Sequence, residues 1–267
     1  MSIDLEDYFC DLPFSEWNKF DERVIGLTKQ ILNLFDQYNA TATFFTLGYI
    51  GEKHPELIEL IVSKGHEIAS HGNRHLDARK ISQEEFELDI SLSQKILSKL
   101  CGEKILGFRA PFFSIDKKNF WALDIVKKYF QYDSSLFPIK TPLYGIPEGR
   151  RTPYYMSDLN PLKESAQQKF LEIPPATLNF PIISNIPVAG GFWLRFFPQF
   201  LIKKGINQLN QKGFPAMCYL HPKDIDPHMP KISTYSWHYY WRLKNTEKKL
   251  TSLLKNFKFI SVRDMFF

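Results

Sequence analysis

Short apolar stretches alternate with amphipathic helical patterns along most of this chain, and that order restricts its fold more than any other feature. The strand signals fall at residues 2–4, 41–46, 67–70, 105–108, 130–133, 170–173, 216–220 and 257–262. Parallel strands need a crossover of about a dozen residues or more, usually a helix. The expected fold is therefore α/β, with a parallel sheet or barrel inside and helices outside, and the number of strand signals suits closure into a barrel.

The helical patterns carry their own punctuation. Val24, Leu27, Ile31 and Leu34 recur at intervals of three and four behind Asp21, a candidate cap. Ser82 and Glu85 form a capping box ahead of Phe86, Ile90 and Leu97, while Pro55 suits the first turn of a helix carrying Leu57, Leu60 and Ile61 that stops at Gly65. Most of the 17 prolines lie between Pro138 and Pro230, so residues 138–169 read as a loop-rich insertion over one rim. Barrels of about 200–250 residues are routinely one domain. The 267 residues accordingly read as a single domain, with residues 226–267 as a C-terminal extension.

Composition excludes several classes. No apolar run reaches the roughly 18–20 residues of a membrane helix, and the opening residues are acidic where a signal peptide is basic and then apolar. The three cysteines, Cys10, Cys101 and Cys218, form no CxxC pair and suit a reducing compartment, so a cytoplasmic protein is expected. The net charge of +5 comes with lysines at 203–204 and 244–258 that are spread over helical surfaces. They read as solvated faces that leave room for peripheral membrane contact; no nucleic-acid partner is expected, and the oligomeric state is open. The 15% aromatic content hints at sugar stacking as much as at core packing.

The candidate chemistry sits at strand ends. His71 and His75 directly follow an apolar strand, and a helical turn would bring both rings to one metal, although HxxxH alone also describes surface or capping histidines. Strand alternation puts Asp4 and Glu6 on one face, where two acids repel unless a cation or an arginine lies between them. Two histidines and one carboxylate leave a water position open on a metal, and a second carboxylate can take that water's proton. Arg109 ends another strand and could orient Asp4; otherwise it makes a surface ion pair. His221 ends a third, and Asp133 offers it a carboxylate partner. His66 reads as a core or sheet-edge histidine, and Cys218 lacks a nearby base.

In chain order, Asp4-Leu5-Glu6-Asp7, residues 70–75, Arg109-Ala110-Pro111, Asp133-Ser134 and Leu220-His221-Pro222 resemble the five motifs of the polysaccharide deacetylases, the NodB-homology family. The resemblance covers about residues 1–225. Residues 190–195 and the tail from Tyr239 through Leu243 also look like the C-terminal extension of a bacterial subgroup associated with surface-glycan loci. What this implies is a distorted (β/α) barrel of seven or eight mostly parallel strands with outer helices, a divalent metal, and hydrolysis of an N-acetyl group from a sugar. By position, Asp4 would be the general base, His71 and His75 metal ligands, Arg109 the group orienting the base, and His221 the general acid.

The first motif departs from the commonest family form, in which base and ligand are adjacent Asp residues, because Leu5 stands second here. Some relatives space the acids one residue apart, which favours Glu6 as the metal carboxylate with Asp7 as the competitor. Asp133 would hold the tautomer of His221, and Pro111, Phe112, Trp193 and Arg195 are candidate substrate contacts. Zinc is the first choice of metal, with Co, Ni, Mn and Fe open to the same ligands. The expected activity is metal-dependent removal of N-acetyl groups from amino-sugar units of a bacterial polysaccharide or its precursor. The alternatives are an amidohydrolase acting on a small non-sugar amide or cyclic ureide, and a glycan-binding protein without turnover.

Overall fold

The computed structural model describes residues 1–180 and 184–267. Ten strands and nine α-helices follow one another along the described chain. The first half runs β1 (Ser2–Leu5), α1 (Val24–Gln37), β2 (Thr43–Thr46), α2 (Gly48–Lys53), α3 (Pro55–Ser63), β3 (Glu67–Ser70), α4 (Gln83–Cys101), β4 (Gly107–Phe108), α5 (Trp121–Tyr129) and β5 (Tyr132–Asp133). The second runs β6 (Tyr154–Tyr155), β7 (Leu171–Glu172), β8 (Thr177–Phe180), β9 (Ser184–Pro187), α6 (Gly191–Phe196), α7 (Gln199–Asn210), β10 (Tyr219–Leu220), α8 (Thr246–Asn256) and α9 (Val262–Phe266).

Eight strands form one curled sheet in the order β10-β1-β2-β3-β4-β5-β7-β6, parallel except for the last pair. A single parallel bridge between Pro175 and Met217 joins the chain after β7 to the chain before β10 and brings the two sides together. The result is a distorted (β/α) barrel. Inside it, Phe45, Ala69, Tyr132, Leu171, Ile173 and Met217 pack with Val262 of α9. Outside, the larger apolar cluster is built from the buried faces of α1, α3, α4, α5 and α7 against the sheet.

Pro55 opens α3, and Ser82 caps α4 by accepting from the Glu85 amide, as the sequence patterns suggest. The cap of α1 is different. Asp21 makes no cap there; Asp7, beyond the end of β1, reaches across to accept from the amides of Arg23 (2.7 Å) and Val24 (2.9 Å).

Two expectations fail locally, and one hairpin goes unread. Residues 257–262 form no strand: β1 and β2 already have sheet partners on both sides, and Ser261 instead caps α9 by accepting from Asp264 N. The eighth strand of the sheet is instead β6, antiparallel, inside the stretch read as loop. The β8–β9 hairpin, also antiparallel, carries no clear alternation in the sequence.

Candidate active site

Every group of the candidate site lies at or just beyond the C-terminal end of a parallel strand, where barrel folds gather functional side chains. Asp4 is on β1, Glu6 just beyond it, His71 after β3, Arg109 after β4 and His221 after β10. All five are buried except His221, whose side chain is partly open to solvent.

A loop rather than a helical turn brings the two histidines together. Gly72 and His75 both take positive φ, 74° and 56°, and Asp89 of α4 accepts from the amides of Asn73 (2.7 Å) and Arg74 (3.2 Å) to hold that path. A side chain at Gly72 would press against the same Asp89 carboxylate. The His71 and His75 ring centroids end 5.3 Å apart. His71 Nδ1 donates to Arg109 O (2.7 Å) and His75 Nδ1 donates to Cys10 O (2.9 Å), because a carbonyl can only accept. Both Nε2 atoms are thereby turned toward Glu6, at 2.6 Å from Oε2 for His75 and 4.0 Å for His71.

These three residues fit a divalent cation. Glu6 Oε2 is buried and makes no well-aligned hydrogen bond, despite its short distance to His75. One ligand atom from each of Glu6, His71 and His75 lies within 4.8 Å of the other two. Backbone carbonyls fix the imidazole tautomers, the arrangement that orients histidines toward metals. Asp7 does not compete, because its carboxylate is taken up at the start of α1. The other oxygen of Glu6 accepts from Lys223 Nζ (2.7 Å), which also donates to Asp11 (3.1 Å).

The electrostatics follow from this crowding. Burial pushes Glu6 up, but His75 and Lys223 more than reverse it and hold the carboxyl well below its ordinary value. His75 is correspondingly raised, its burial outweighed by Glu6. His71 is drawn down to about 4, mainly by burial. Phe112, with φ of 58°, sets its ring 4.4 Å from that of His75, and Phe113 follows at φ 49°. Such non-glycine backbone costs about 1–3 kcal/mol per residue and concentrates at functional sites. Pro111 is buried behind them.

Beside the three donors, Arg109 Nη1 donates to Asp4 Oδ1 (2.6 Å) and Ser2 Oγ (3.0 Å), and its other nitrogens bond Ser134. The guanidinium lies over the Phe45 ring at 4.1 Å. The free Asp4 oxygen faces His221 Nε2 at 3.8 Å.

Two sequence expectations are corrected here. Asp133 does not partner His221; its carboxylate accepts from Ser135 N (2.9 Å) and Ser135 Oγ (2.7 Å), beside Glu172, on a strand separated from β10 by β1 to β4. The partner is Asp224, whose Oδ2 accepts from His221 N (2.8 Å) and meets Nδ1 at 2.9 Å. Arg195 does not line a groove either, being buried with its guanidinium turned inward to Asp224 and backbone carbonyls. Trp193 is half-buried and packs between Phe192 and Phe197. Sequence reasoning missed Asp224, Lys223 and Asp11; only Asp224 left a signal, a carboxylate three residues after His-Pro, where it can turn back onto the histidine.

Residues 17–128 match the family described as Polysaccharide deacetylase, and residues 134–267 match a domain of unknown function, DUF3473. The N-terminal part of the chain, residues 17–128, is therefore similar to the polysaccharide deacetylases, and its C-terminal half matches DUF3473. Among its relatives, a peptidoglycan-N-acetylglucosamine deacetylase of Bacillus cereus is 40% identical over 84 residues, 32% of this chain and 39% of that protein. The chain thus matches about two fifths of that relative's length. Two solved polysaccharide deacetylase structures share the fold. The one from Mycobacterium smegmatis has a TM-score of 0.62 at 18% identity, covering 96% of this chain and 82% of that one. The one from Pseudomonas aeruginosa PAO1 has a TM-score of 0.55 at 17% identity, covering 97% and 79%. Among the described residues, no helix is long and apolar enough to cross a membrane.

Proposed function

We propose that this chain is a metal-dependent N-deacetylase that removes acetyl groups from amino-sugar units of a polysaccharide or its precursor. The observation that carries the reading is the convergence of Glu6 Oε2 and the two imidazoles beside Asp4 and His221. The family and the relative's named action on N-acetylglucosamine supply the substrate class. Glu6, His71 and His75 would hold the ion, and zinc suits two nitrogens and one carboxylate. When bound, a divalent ion supplies Lewis-acid polarisation of the acetamide carbonyl and makes water more acidic.

The chain's own groups do the proton work. Asp4, held on one oxygen by Arg109, has its second oxygen free to accept a proton from the attacking water. His221 Nε2 faces the same space while Nδ1 is held by Asp224, so the imidazolium can protonate the departing nitrogen as the C–N bond breaks. Phe112 walls the site against His75 and is a candidate sugar contact. All 267 residues act as one domain in this reading, since the N-terminal half holds the base and metal donors and the C-terminal half holds the acid. The free, buried or half-buried cysteines support a cytoplasmic setting.

The decisive experiment is acetate release from N-acetylglucosamine oligomers by the full chain, before and after chelation and with zinc restored. Acetate that stops on chelation and resumes with zinc supports the reading. Full turnover by ion-free protein, or none with any divalent ion, overturns it.

A further inference from the structure

The Gly190-Gly191-Phe192-Trp193-Leu194-Arg195 segment is not explained by the chemistry above, yet its two ends close on one carboxylate. A Cβ on Gly191 would lie 1.7 Å from Asp224 Oδ2 and 2.0 Å from its Cγ, so Asp224 sits directly against the backbone there and only glycine leaves room. One turn later Arg195 Nη2 pairs with Asp224 Oδ1 at 3.1 Å. Its Nε donates back to Gly191 O (3.1 Å), and its Nη1 donates to Tyr239 O (2.9 Å) and Trp241 O (3.0 Å). The guanidinium is therefore fixed by three carbonyls, one in α6 and two in the C-terminal extension. It has one carboxylate to serve, and that carboxylate holds His221 by both its amide and Nδ1.

We propose that Arg195 is a positioning residue for the general acid: with Gly191 it clamps Asp224, which sets the tautomer and direction of the His221 ring. The inference rests on the reading of His221 as the acid and gives the DUF3473 half a specific task, linking the extension to that proton donor. A flexible lysine could supply the charge but not the fork that spans Asp224 and the carbonyls. A clamp of this kind matters only to a step that needs the proton. Cleavage of an amide needs it, because the nitrogen leaves as an amine once Nε2 has delivered a proton. Cleavage of 4-nitrophenyl acetate does not, because the phenolate leaves unaided.

The test compares wild type, Arg195→Ala and Arg195→Lys as full-length zinc-loaded proteins, the lysine variant serving if the alanine variant does not fold. Long-range proton–nitrogen NMR reads the His221 ring directly, its signals assigned by their loss in His221→Gln. Above the alkaline limb, where the ring is neutral, the expected result is a single Nδ1-protonated form in wild type, a mixture of tautomers in Arg195→Ala, and partial return with added guanidinium. In parallel, turnover of an N-acetylated sugar should fall about 10- to 100-fold while 4-nitrophenyl acetate hydrolysis stays within about 2-fold. An unchanged His221 spectrum, or equal losses on both substrates, overturns the proposal. If the His221 signals respond to Arg195→Ala while wild type cleaves no acetamide, the clamp stands and the deacetylase reading fails.

Discussion

Asp4 and Arg109 form an end-on pair sealed from solvent, with Arg109 Nη1 2.6 Å from Asp4 Oδ1. The partners lie at the ends of β1 and β4, with β2 and β3 between them, across the barrel mouth. Because Ser2, Ser134 and the Phe45 face take up the rest of the guanidinium, Asp4 is held at one oxygen only. The other stays available on the side of His221.

Replacing Arg109 by methionine should therefore do two kinds of damage. An unpaired buried Asp4 costs about 3–5 kcal/mol of stability, and the remaining charge is no longer aimed. Chemical denaturation should give that loss, with deacetylation abolished. Arg109→Lys should recover part of the stability and little of the rate, since an ammonium cannot span Asp4 and Ser134 together. Equal rates for the lysine variant and wild type would remove Arg109 from the catalytic account.

Metal uptake should release protons. Glu6 raises His75 and so favours a proton on its ring, and a cation on Nε2 must displace any proton held there. Titration calorimetry with zinc in buffers of different ionisation enthalpy should show a buffer-dependent heat that is lost in His75→Ala. Glu6→Gln and His71→Ala should bring zinc stoichiometry near zero after dialysis.

Asp7 and Glu6 should separate cleanly, although they adjoin in sequence. Asp7→Ala removes the acceptor for the Arg23 and Val24 amides and should cost about 1–2 kcal/mol while leaving zinc content intact. Glu6→Ala should reverse the pattern, losing the metal. Loss of zinc in Asp7→Ala, with the fold preserved, would return the ligand role to Asp7.

How much of this was legible depends on which link carried the information. Asp4, His71, Arg109 and His221 stand out because each follows or ends an apolar strand, and parallel strands deliver their ends to one rim. Proximity between residues on different strands is not written that way. Asp133 ends a strand as clearly as His221 does, but sheet order puts it beside Glu172, and only tertiary packing brings Asp224 under His221. Arg195 shares a motif with aromatic residues and so reads as a sugar contact, until burial turns it inward. Residues 257–262 have the apolar character of a strand, and what decides against it is that β1 and β2, beside which they run, already have sheet partners on both sides.

The alkaline limb of the pH–rate profile should follow Asp224 and not Asp133. Burial draws the His221 imidazole down, but Asp224 and then Glu6 more than restore it, leaving its pKa above the ordinary value. The acid form is lost as pH rises through that raised pKa. Asp224→Asn removes the main raising charge, so the limb should move to lower pH, whereas Asp133→Asn should leave it in place. A limb moved by Asp133→Asn alone would contradict the geometry.

Stability should carry a separate pH signature from His66. Its ring is buried between Phe35 and Phe44, and Nδ1 accepts from the Ala42 amide (3.1 Å), so a second ring proton would have to meet an N–H. Burial lowers its pKa to about 4, against about 6.5 for an exposed histidine. Between those values the unfolded chain binds the proton and the folded chain does not. Stability is therefore complete above about pH 6.5 and declines as pH falls toward about 4, by on the order of 2–3 kcal/mol from this residue. His66→Asn keeps an acceptor for Ala42 and removes the titration. Denaturation midpoints measured from pH 7 to pH 4.5 should fall less steeply in that variant, although it starts lower because of the space the smaller side chain leaves. Parallel slopes for the two proteins would show that His66 takes up its proton in the folded state.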